Sequence, residues 1–460
     1  MTGRIVLGLG GTVDHELDWD AAAFQRLVDG CGIHLAEVED DPPSGVADER
    51  GIALAILRSM RWARGCECYV ADKAQLLAFD SRFDHRVTLG GTCVRAALAM
   101  DRLGVESMVH LVSISDEVRE RLPEGVAWLC SAEGDSLDPH VIVQYPRGAV
   151  VRLVDGMVVA ARPNRVILVN DEPNEHMVLS RELPAALREA PAVLVSGFNT
   201  MKSVDELRVR LAELADMLRG VPRGTPVVYE DAGFHDEAMR AVVLEVVPSL
   251  AGVHSLNEDE ARHYLGRETD LADPREVVAM MEGLLEILGT PTVMVHTSRY
   301  AACIGAEAAL YRDAAQAGCV MASTRFACGD RYGRAEHSAI AASPREAIGV
   351  ALAGAPAVRR AGVLIAPSYE VRTSTPTTIG LGDAFIGGVM AHLSAVTREG
   401  TGRPKPGPAG GGGCVAPLGP GAAQPQCDAY QRCVSEAGPP LRTRRHVVRS
   451  LLARLGMPIL

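Results

Sequence analysis

The chain has 460 residues, of which 47% are hydrophobic, a composition that fits a globular protein of about two or three domains and excludes fibrous and disordered classes. The formal net charge of −12 argues against a broad nucleic-acid-binding surface. No apolar run reaches the ~18 residues of a membrane span, and the N-terminal stretch lacks a signal-peptide pattern. These features predict a cytoplasmic protein that binds neither nucleic acid nor membranes. In that reducing setting we expect most of the 11 cysteines to be free thiols, and their spacing does not match a metal site.

The first part of the chain combines short apolar runs with helical patterns. Residues 4–11, RIVLGLGG, predict a buried strand that ends in a glycine-rich loop. Residues 48–65 have the apolar spacing of a helix. Residues 87–104, VTLGGTCVRAALAMDRLG, predict the end of a strand, a Gly-Gly turn and an Ala-rich helix, and residues 107–115 predict a further strand.

Residues 140–171 have a different pattern. They alternate apolar and polar side chains and contain turn signals at Pro-Arg-Gly and Asp-Gly. This pattern predicts an antiparallel meander, which we interpret as a lid or small β domain inserted into an α/β body.

Strands alternating with helices return after the meander. Five short apolar runs end in polar or glycine-rich turns, and amphipathic helices such as residues 204–220 and 274–289 lie between them. The predicted fold is therefore α/β, with a mostly parallel sheet covered by helices on both faces. Ligands of such sheets bind beyond the carboxyl ends of the strands. The polar residues at those ends are residues 196–199, Glu230, Asp231, residues 257–260, His296 and Thr297.

The domain organisation follows from these changes of pattern. We predict a body over residues 1–398, with lid segments inserted at roughly 15–50 and 80–175. Residues 399–440 are rich in Pro and Gly and predict a disordered linker. Residues 441–460 predict a basic amphipathic helix or a frayed tail.

The stretch TPTTIGLGDAFIGG contains an acid, Asp383, between a glycine-rich turn and an apolar segment. Gly380 and Gly382 leave room for a ligand beside the backbone, and the N–H groups at a helix start attract anions. Asp383 is then either an ordinary helix cap or a base beside a bound anion.

The stretch NEDE, residues 257–260, also connects a strand to a helix. Asn257 and Glu260 have the spacing of a capping box, which is a purely structural arrangement. The same amide and carboxylate are also suited to ordering magnesium-bound water. Together with the turn at Asp383, they predict a phosphoryl-transfer centre.

At these residues the sequence resembles the ADP-dependent sugar kinases, which comprise ADP-dependent glucokinase and phosphofructokinase and are a branch of the ribokinase-like superfamily. The family motif GxGD matches Gly380, Gly382 and Asp383, and the motif NxxE matches Asn257 and Glu260. The chain contains no GxxxxGK[ST] pattern, which argues against a P-loop kinase.

Further segments resemble the family in the same order, from about residue 4 to residue 396. The family motif HxE retains its acid but has Val in place of its His, and an Asn before the first sugar-contacting Asp is replaced by Gly10. The matching positions are Asp14, Gly90, Gly91, Asn164, Arg165, Glu230, His296 and Thr297.

The resemblance implies a role for each position. Asp383 would be the general base, and the N–H groups at Gly380 and Gly382 would form an anion hole for the phosphoryl group. Mg2+ would be held through water by Glu230 and Glu260, and ADP would be the phosphoryl donor. The positions implied for the substrate are Asp14, Gly90, Gly91, Asn164 and Arg165. Those implied for the nucleotide are Asn257, His296, Thr297 and Thr378.

Several alternatives remain open from the sequence. Asp14 is either a turn cap or a sugar ligand, and His296 is either a core histidine or a nucleotide ligand. Arg165 is either the partner of an acid such as Asp171 or the reader of a sugar phosphate. The resemblance implies small-molecule sugar and nucleotide ligands in carbohydrate metabolism, with the acceptor a hexose or hexose phosphate. There are two competing functions. One is an ATP-dependent ribokinase-like kinase of a sugar or nucleoside, and the other is a degenerate kinase fold that serves as a ligand-binding or regulatory protein.

Overall fold

The computed structural model describes residues 3–234, 236–373, 377 and 379–401. Thr378, the predicted basic tail and the predicted linker from residue 402 onward lie outside the described residues. Within the described part of the chain, no helix combines the length and the apolar character that crossing a bilayer requires.

The strands form two main sheets and one hairpin. In chain order they are β1 (Ile5–Leu7), β2 (Thr12–Leu17), β3 (Gly45–Val46), β4 (Cys66–Val70), β5 (His85–Gly90), β6 (Ser107–Leu111), β7 (Val126–Cys130), β8 (His140–Tyr145), β9 (Val150–Arg152), β10 (Met157–Val159), β11 (Asn164–Val169), β12 (Val193–Val195), β13 (Val227–Glu230), β14 (Val253–Asn257), β15 (Thr292–His296), β16 (Tyr300–Gly305) and β17 (Leu364–Pro367).

The helices have conventional start and stop signals. Asp273 caps the helix that begins at Pro274, and Gly289, with φ of +62°, ends it. In chain order the helices are α1 (Ala21–Cys31), α2 (Glu49–Trp62), α3 (Lys73–Asp80), α4 (Thr92–Asp101), α5 (Asp116–Arg121), α6 (Glu172–Glu175), α7 (Leu183–Glu189), α8 (Val204–Leu218), α9 (Glu237–Val246), α10 (Glu258–Leu265), α11 (Pro274–Leu288), α12 (Ala308–Cys328), α13 (Arg334–Ala341), α14 (Ala347–Gly354), α15 (Pro356–Arg360) and α16 (Leu381–Thr401).

The larger sheet has nine strands in the order β17-β16-β15-β14-β13-β12-β1-β6-β7. Eight of them run in the same direction, and β16 alone is reversed, so it pairs antiparallel with both β15 and β17. Strands such as β15 are buried along their whole length because helices cover both faces of the sheet. The predicted mostly parallel α/β fold is confirmed.

The smaller sheet has six strands in the order β3-β4-β11-β8-β2-β5 and mixes parallel with antiparallel pairs. The predicted simple meander is wrong in its pairing, because β8 pairs with β11 while β9 and β10 form a separate hairpin. Strands β6 and β7, inside the predicted lid segment 80–175, pair in the larger sheet instead. An apolar alternating run predicts a strand but does not specify its partner, which is why the pairing was missed.

Helix α16 lies against α4 and α12 on one face of the larger sheet. A Cβ atom at Gly387 would lie 2.8 Å from the carbonyl oxygen of Ala96, and one at Gly388 would lie 2.6 Å from that of Ala317. Only glycine permits such close backbone contact, which explains the small residues after Asp383. Residues 399–401, where the linker was predicted to begin, still belong to α16.

Candidate active site

The turn that precedes α16 brings the glycine-rich motif to the site. Gly380 has φ of +68°, a conformation that favours glycine, and α16 begins at Leu381 with Asp383 in its first turn. The carbonyl of Gly380 accepts a hydrogen bond from the N–H of Ala384. The first N–H groups of a helix have no partner within it, so this turn presents donors to an anion beside the Asp383 carboxylate.

The surroundings of Asp383 act on its pKa in opposite directions. Burial raises the pKa of this carboxyl, whereas the charge of Arg95 and a hydrogen bond with the Thr92 side chain lower it, and the net shift is upward. The negative charge of Glu230 adds to the upward shift. A carboxylate with a raised pKa in a cationic surrounding is suited to accepting a proton.

Two acidic strand ends lie near this turn. Glu230, the last residue of β13, is buried, and its Oε1 lies 2.9 Å from Nε2 of His296 at the end of β15. The His296 ring stacks on Phe385, with ring centroids 4.7 Å apart. A Cβ atom at Gly382 would lie 3.5 Å from Cε1 of His296. His296 thus connects the acid of β13 to the turn before α16, whereas the sequence predicted it for the nucleotide.

Asn257 and Glu260 form the capping box. The Asn257 side chain accepts hydrogen bonds from the N–H groups of Asp259 and Glu260, at 2.8 and 3.0 Å, and Glu260 Oε2 accepts from the N–H of Asn257 at 2.8 Å. Burial and the charges of Asp231 and Glu230 nevertheless raise the pKa of Glu260 to about 8. The motif therefore combines a structural cap with a carboxyl in an acidic environment.

The acidic residues fit a divalent cation. Glu230 Oε2 is buried and has no hydrogen-bond partner within the described part of the chain. The raised pKa of Glu260 reflects burial and repulsion from neighbouring carboxylates, which a cation would offset. Carboxylate oxygens are the ligands that Mg2+ prefers, often through retained water.

The third acid of this region, Asp231, is held by its own network. Its Oδ2 lies 2.9 Å from Nε2 of His254 and accepts a hydrogen bond from the Tyr264 hydroxyl at 2.5 Å. Asp231 was predicted only as a polar strand end, and its effect on Glu260 became visible only with the fold.

Asp14 of β2 lies in the smaller sheet with its carboxylate packed over β5. A Cβ atom at Gly90 would collide with this carboxylate, so the position requires glycine. Asp14 Oδ1 accepts a hydrogen bond from the Thr12 hydroxyl at 2.6 Å, and Oδ2 accepts one from Nη2 of Arg95 at 2.6 Å. Gly91, with φ of +83°, is the residue before α4, and a Cβ atom there would lie 3.0 Å from Cα of Gly11.

Arg165 and Asn164 are neighbours on β11 with different surroundings. Burial and the charge of Arg95 lower the pKa of Arg165, and the charge of Asp383 opposes this shift. The Asn164 side chain instead donates to the carbonyl of Ala63 at 3.2 Å, and its oxygen accepts from the N–H of Arg165. Successive strand residues point to opposite faces, and pairing through β8 puts Arg165, but not Asn164, on the same face of the smaller sheet as Asp14.

Thr297 stabilises the turn between β15 and β16. Its hydroxyl donates to the carbonyl of Tyr300 at 2.9 Å and accepts from the N–H groups of Arg299 and Tyr300. These bonds give Thr297 a structural role that the sequence did not predict. Its predicted nucleotide partner Thr378 lies outside the described residues.

Sequence reasoning missed two arginines beside the turn. Arg325 of α12 donates to the carbonyl of Ile379 at 3.1 Å and pairs with Asp330, so it holds the residue that precedes Gly380. Arg95 lies in an otherwise apolar, Ala-rich helix and is only 8% exposed. A lone charge in such a helix is the signal that identifies a functional or paired residue.

Comparisons with known proteins bear on this site. The family model described as the ADP-specific Phosphofructokinase/Glucokinase conserved region matches residues 3–388. A search of curated proteins gave no match. The structure is similar to that of a hypothetical ADP-dependent phosphofructokinase from Pyrococcus horikoshii, with 16% identity, a TM-score of 0.65, and coverage of 86% of this chain and 99% of the other.

Two further solved structures are similar. One is the last common ancestor of ADP-dependent phosphofructokinases from Methanosarcinales, with 18% identity, a TM-score of 0.63, and coverage of 86% and 94%. The other is an ADP-dependent kinase in complex with fructose-6-phosphate and ADPβS, with 16% identity, a TM-score of 0.64, and coverage of 86% and 95%. At such identities the likeness shows a shared fold.

Proposed function

Because the chain belongs to the ADP-specific phosphofructokinase/glucokinase family, a family of ADP-dependent kinases, we propose that it transfers the terminal phosphoryl group of ADP to a hydroxyl of a hexose or hexose phosphate. The observation that carries the proposal is the turn at residues 380–383. There, α16 begins at Leu381, and Oδ2 of Asp383 lies 3.3 Å from where a Cβ atom of Gly380 would be, beside the first N–H groups of the helix. Phosphoryl transfer needs this pairing of a base with an anion-stabilising site.

In the proposed reaction, Asp383 accepts the proton of the acceptor hydroxyl. The hydroxyl oxygen forms a bond to the β-phosphorus of ADP, and the bond from that phosphorus to the α–β bridging oxygen breaks. AMP leaves with the electrons of that bond, and the sugar carries the transferred group. N–H groups at the start of α16 stabilise the charge on the phosphoryl oxygens during transfer.

The acidic strand ends support a magnesium-dependent reaction. Glu230 and Glu260 are the residues that would hold Mg2+, through water, and the partnerless buried oxygen of Glu230 is the feature that favours this assignment. When bound, Mg2+ neutralises phosphate charge and orients the donor. His296 keeps the carboxylate of Glu230 oriented toward the turn.

The acceptor side is proposed to lie on the smaller sheet. Arg95 supports this placement, because it donates to Asp14 and also lies beside Gly380, and the Asp14 carboxylate packs over Gly90. Arg165 lies on the same face of the smaller sheet as Asp14. The likeness to a kinase bound to fructose-6-phosphate and ADPβS supports a sugar and a nucleotide as the ligands. The predicted cytoplasmic location and place in carbohydrate metabolism belong to the same proposal.

The test is phosphoryl transfer measured separately with ADP and with ATP, each with Mg2+, against a panel of hexoses, hexose phosphates and nucleosides. We expect turnover with ADP, with AMP formed in equal amount to the phosphorylated sugar. Turnover with ATP alone would show that ADP is not the donor, and it would leave the proposed role of Asp383 as the base intact. Tight binding of sugar or nucleotide without any turnover would reject the enzyme in favour of a binding protein.

A further inference from the structure

Three metal-ligating side chains converge at one edge of the smaller sheet. His15 lies in β2, His85 begins the edge strand β5, and Asp80 ends α3. One ligand atom of each lies within 4.8 Å of those of the other two. Successive residues of a strand point to opposite faces, so these three residues, the His-Asp-His cluster, lie on the face of β2 opposite Asp14. The cluster is therefore separate from the groups proposed for phosphoryl transfer.

The Asp80 carboxylate lies between the two imidazole rings of the cluster. Its Oδ2 lies 2.7 Å from Nδ1 of His15, and its Oδ1 lies 3.5 Å from Nδ1 of His85. The two rings stack, with centroids 4.1 Å apart and an angle of 11° between their planes. Both Nδ1 atoms thus lie beside the same carboxylate.

These distances are close to those of a zinc site. Bonds from Zn2+ to imidazole nitrogen and carboxylate oxygen are about 2.0–2.2 Å long, so the ligand atoms of a tetrahedral site lie about 3.3–3.6 Å apart. The distance between Asp80 and His85 already has this value. The shorter hydrogen bond between Asp80 and His15 would open by less than about 1 Å when a cation binds.

The protein alone leaves the Asp80 carboxylate incompletely satisfied. Asp80 is only 6% exposed, and its Oδ1 is buried and makes no hydrogen bond within the described part of the chain. In that part of the chain its ion-pair partners are His15 and His85, and no Lys or Arg pairs with it. A buried carboxylate oxygen without a partner is costly. Protonating both imidazoles would balance the charge but would place two like charges in stacked rings, whereas one divalent cation would use all three groups as ligands.

We infer that the His-Asp-His cluster is a structural binding site for a late first-row divalent cation of the Zn2+ class. Imidazole nitrogens suit Zn2+ and its neighbours in the transition series, whereas Mg2+ and Ca2+ require oxygen ligands. Solvent can supply the remaining ligand, because the His85 side chain is 26% exposed.

A cation at this position would join three elements of the smaller sheet. It would hold β5, which has only one neighbour in the sheet, to β2 and to the end of α3. The expected consequence is greater stability of the sheet that carries Asp14. The inference does not depend on the proposed kinase reaction, because its test measures metal binding and stability.

The test is calorimetric titration of Zn2+ into full-length protein. Bound metal is first removed with a chelator, the chelator is dialysed away, and excess Mg2+ is present to compete for the acidic strand ends. His85→Asn removes one ligand at the exposed side of the cluster. The matched control is His176→Asn, which removes an exposed imidazole that pairs with Glu206.

We expect one equivalent of Zn2+ to bind to wild-type protein and to the control, and to be lost or weakened by at least about 100-fold in His85→Asn. Even a residue that only supports a metal ligand changes metal affinity by about 10- to 100-fold. Thiols also bind Zn2+, but all 11 cysteines are present in each protein, so the difference between proteins isolates the cluster.

Two further measurements separate metal binding from folding. His85→Cys supplies another Zn2+ ligand and should bind the equivalent within about tenfold of wild type. Zn2+ at about 100 times its Kd should raise the Tm of wild-type protein by about 3–5 °C and leave that of His85→Asn unchanged.

Equal stoichiometry and affinity in wild-type protein and His85→Asn would overturn the inference, as would the same loss in His176→Asn. A wild-type Tm that does not respond to Zn2+ would also overturn it, and this measurement requires no variant to fold.

Discussion

The two sheets contribute to the site in different ways. In the nine-stranded sheet, Glu230, Asn257 and His296 are the last residues of three neighbouring parallel strands, so one sheet edge collects them. In the six-stranded sheet, Asp14 and Arg165 lie within their strands and reach the site from one face. Under the proposed function, the edge of the larger sheet would hold the phosphoryl-transfer groups and the face of the smaller sheet would recognise the acceptor.

The largest effect is expected among the residues proposed for phosphoryl transfer. Replacing Asp383 with Asn removes the proposed base while keeping the size of the side chain, so kcat should fall by about 1,000-fold. Steady-state kinetics give the rate, and calorimetry with AMP should show binding within about threefold of wild type. A variant that keeps a tenth or more of the activity would remove Asp383 from the reaction.

The next prediction concerns the acidic strand ends. Glu230→Gln should lower kcat/KM for ADP by about 10- to 100-fold and raise the magnesium concentration needed for half-maximal activity. Magnesium titrations at fixed ADP measure this shift. Asp259→Asn, which changes an exposed acid in the same region, is the matched control and should leave the magnesium requirement unaltered. If both variants respond alike, Glu230 has no specific link to the cation.

A third prediction tests the smaller sheet through its stability. Burial disfavours the charged form of His140, but its hydrogen bond and charge interaction with Asp171 dominate, aided by Asp14 and Glu67, and raise its pKa to about 9. Because the folded-state pKa lies above the unfolded value near 6.5, this stabilisation is complete below about pH 6.5 and is lost as the pH rises through about 9.

Denaturant unfolding at pH 6.5, 8 and 9.5 measures this loss. We expect the free energy of unfolding to decline by on the order of 2 kcal/mol over the interval in wild-type protein. In the His140→Asn variant the decline should be clearly smaller. The same slope in both proteins would show that other groups cause the pH dependence.

The smallest effect is expected at Asn164. Its amide bonds to Ala63 and to its own neighbour on the chain, so Asn164→Ala should reduce the free energy of unfolding by about 1 kcal/mol. The KM values for both substrates should stay within about twofold of wild type. A tenfold rise in acceptor KM would instead give Asn164 the substrate-binding role that the sequence predicted.

From the sequence, the site residues at the strand ends of the larger sheet could be predicted better than those on the face of the smaller sheet. Glu230, Asn257 and Glu260 stand next to recognisable strand ends, and parallel pairing then brings such ends together. Arg95 and Asp14 are 81 residues apart. Only the register between β2 and β5, which pairs Thr12 with Gly90, brings the Asp14 carboxylate over Gly90, beside the start of α4. Register depends on long-range pairing that local patterns do not specify.

The same limit explains the other corrections. Asn164 and Arg165 are adjacent in sequence, and which one shares a face of the smaller sheet with Asp14 depends on the pairing of β11 through β8. Strands β6 and β7 have ordinary strand patterns, yet they belong to the larger sheet rather than to the predicted lid segment. In each case the strand could be predicted from the sequence, but the strands or side chains that it contacts in the fold could not.

The glycine contacts of α16 determine which half of the site can adjust when substrates bind. Gly387 and Gly388 bring the backbone of α16 against the backbones of α4 and α12, where no flexible side chain can absorb a displacement. Sliding of the helix along its axis would create clashes within a fraction of one residue rise, which is about 1.5 Å. We therefore expect the turn at Gly380 to stay fixed when substrates bind, and the rearrangement to occur in the six-stranded sheet, which carries Asp14 and Arg165.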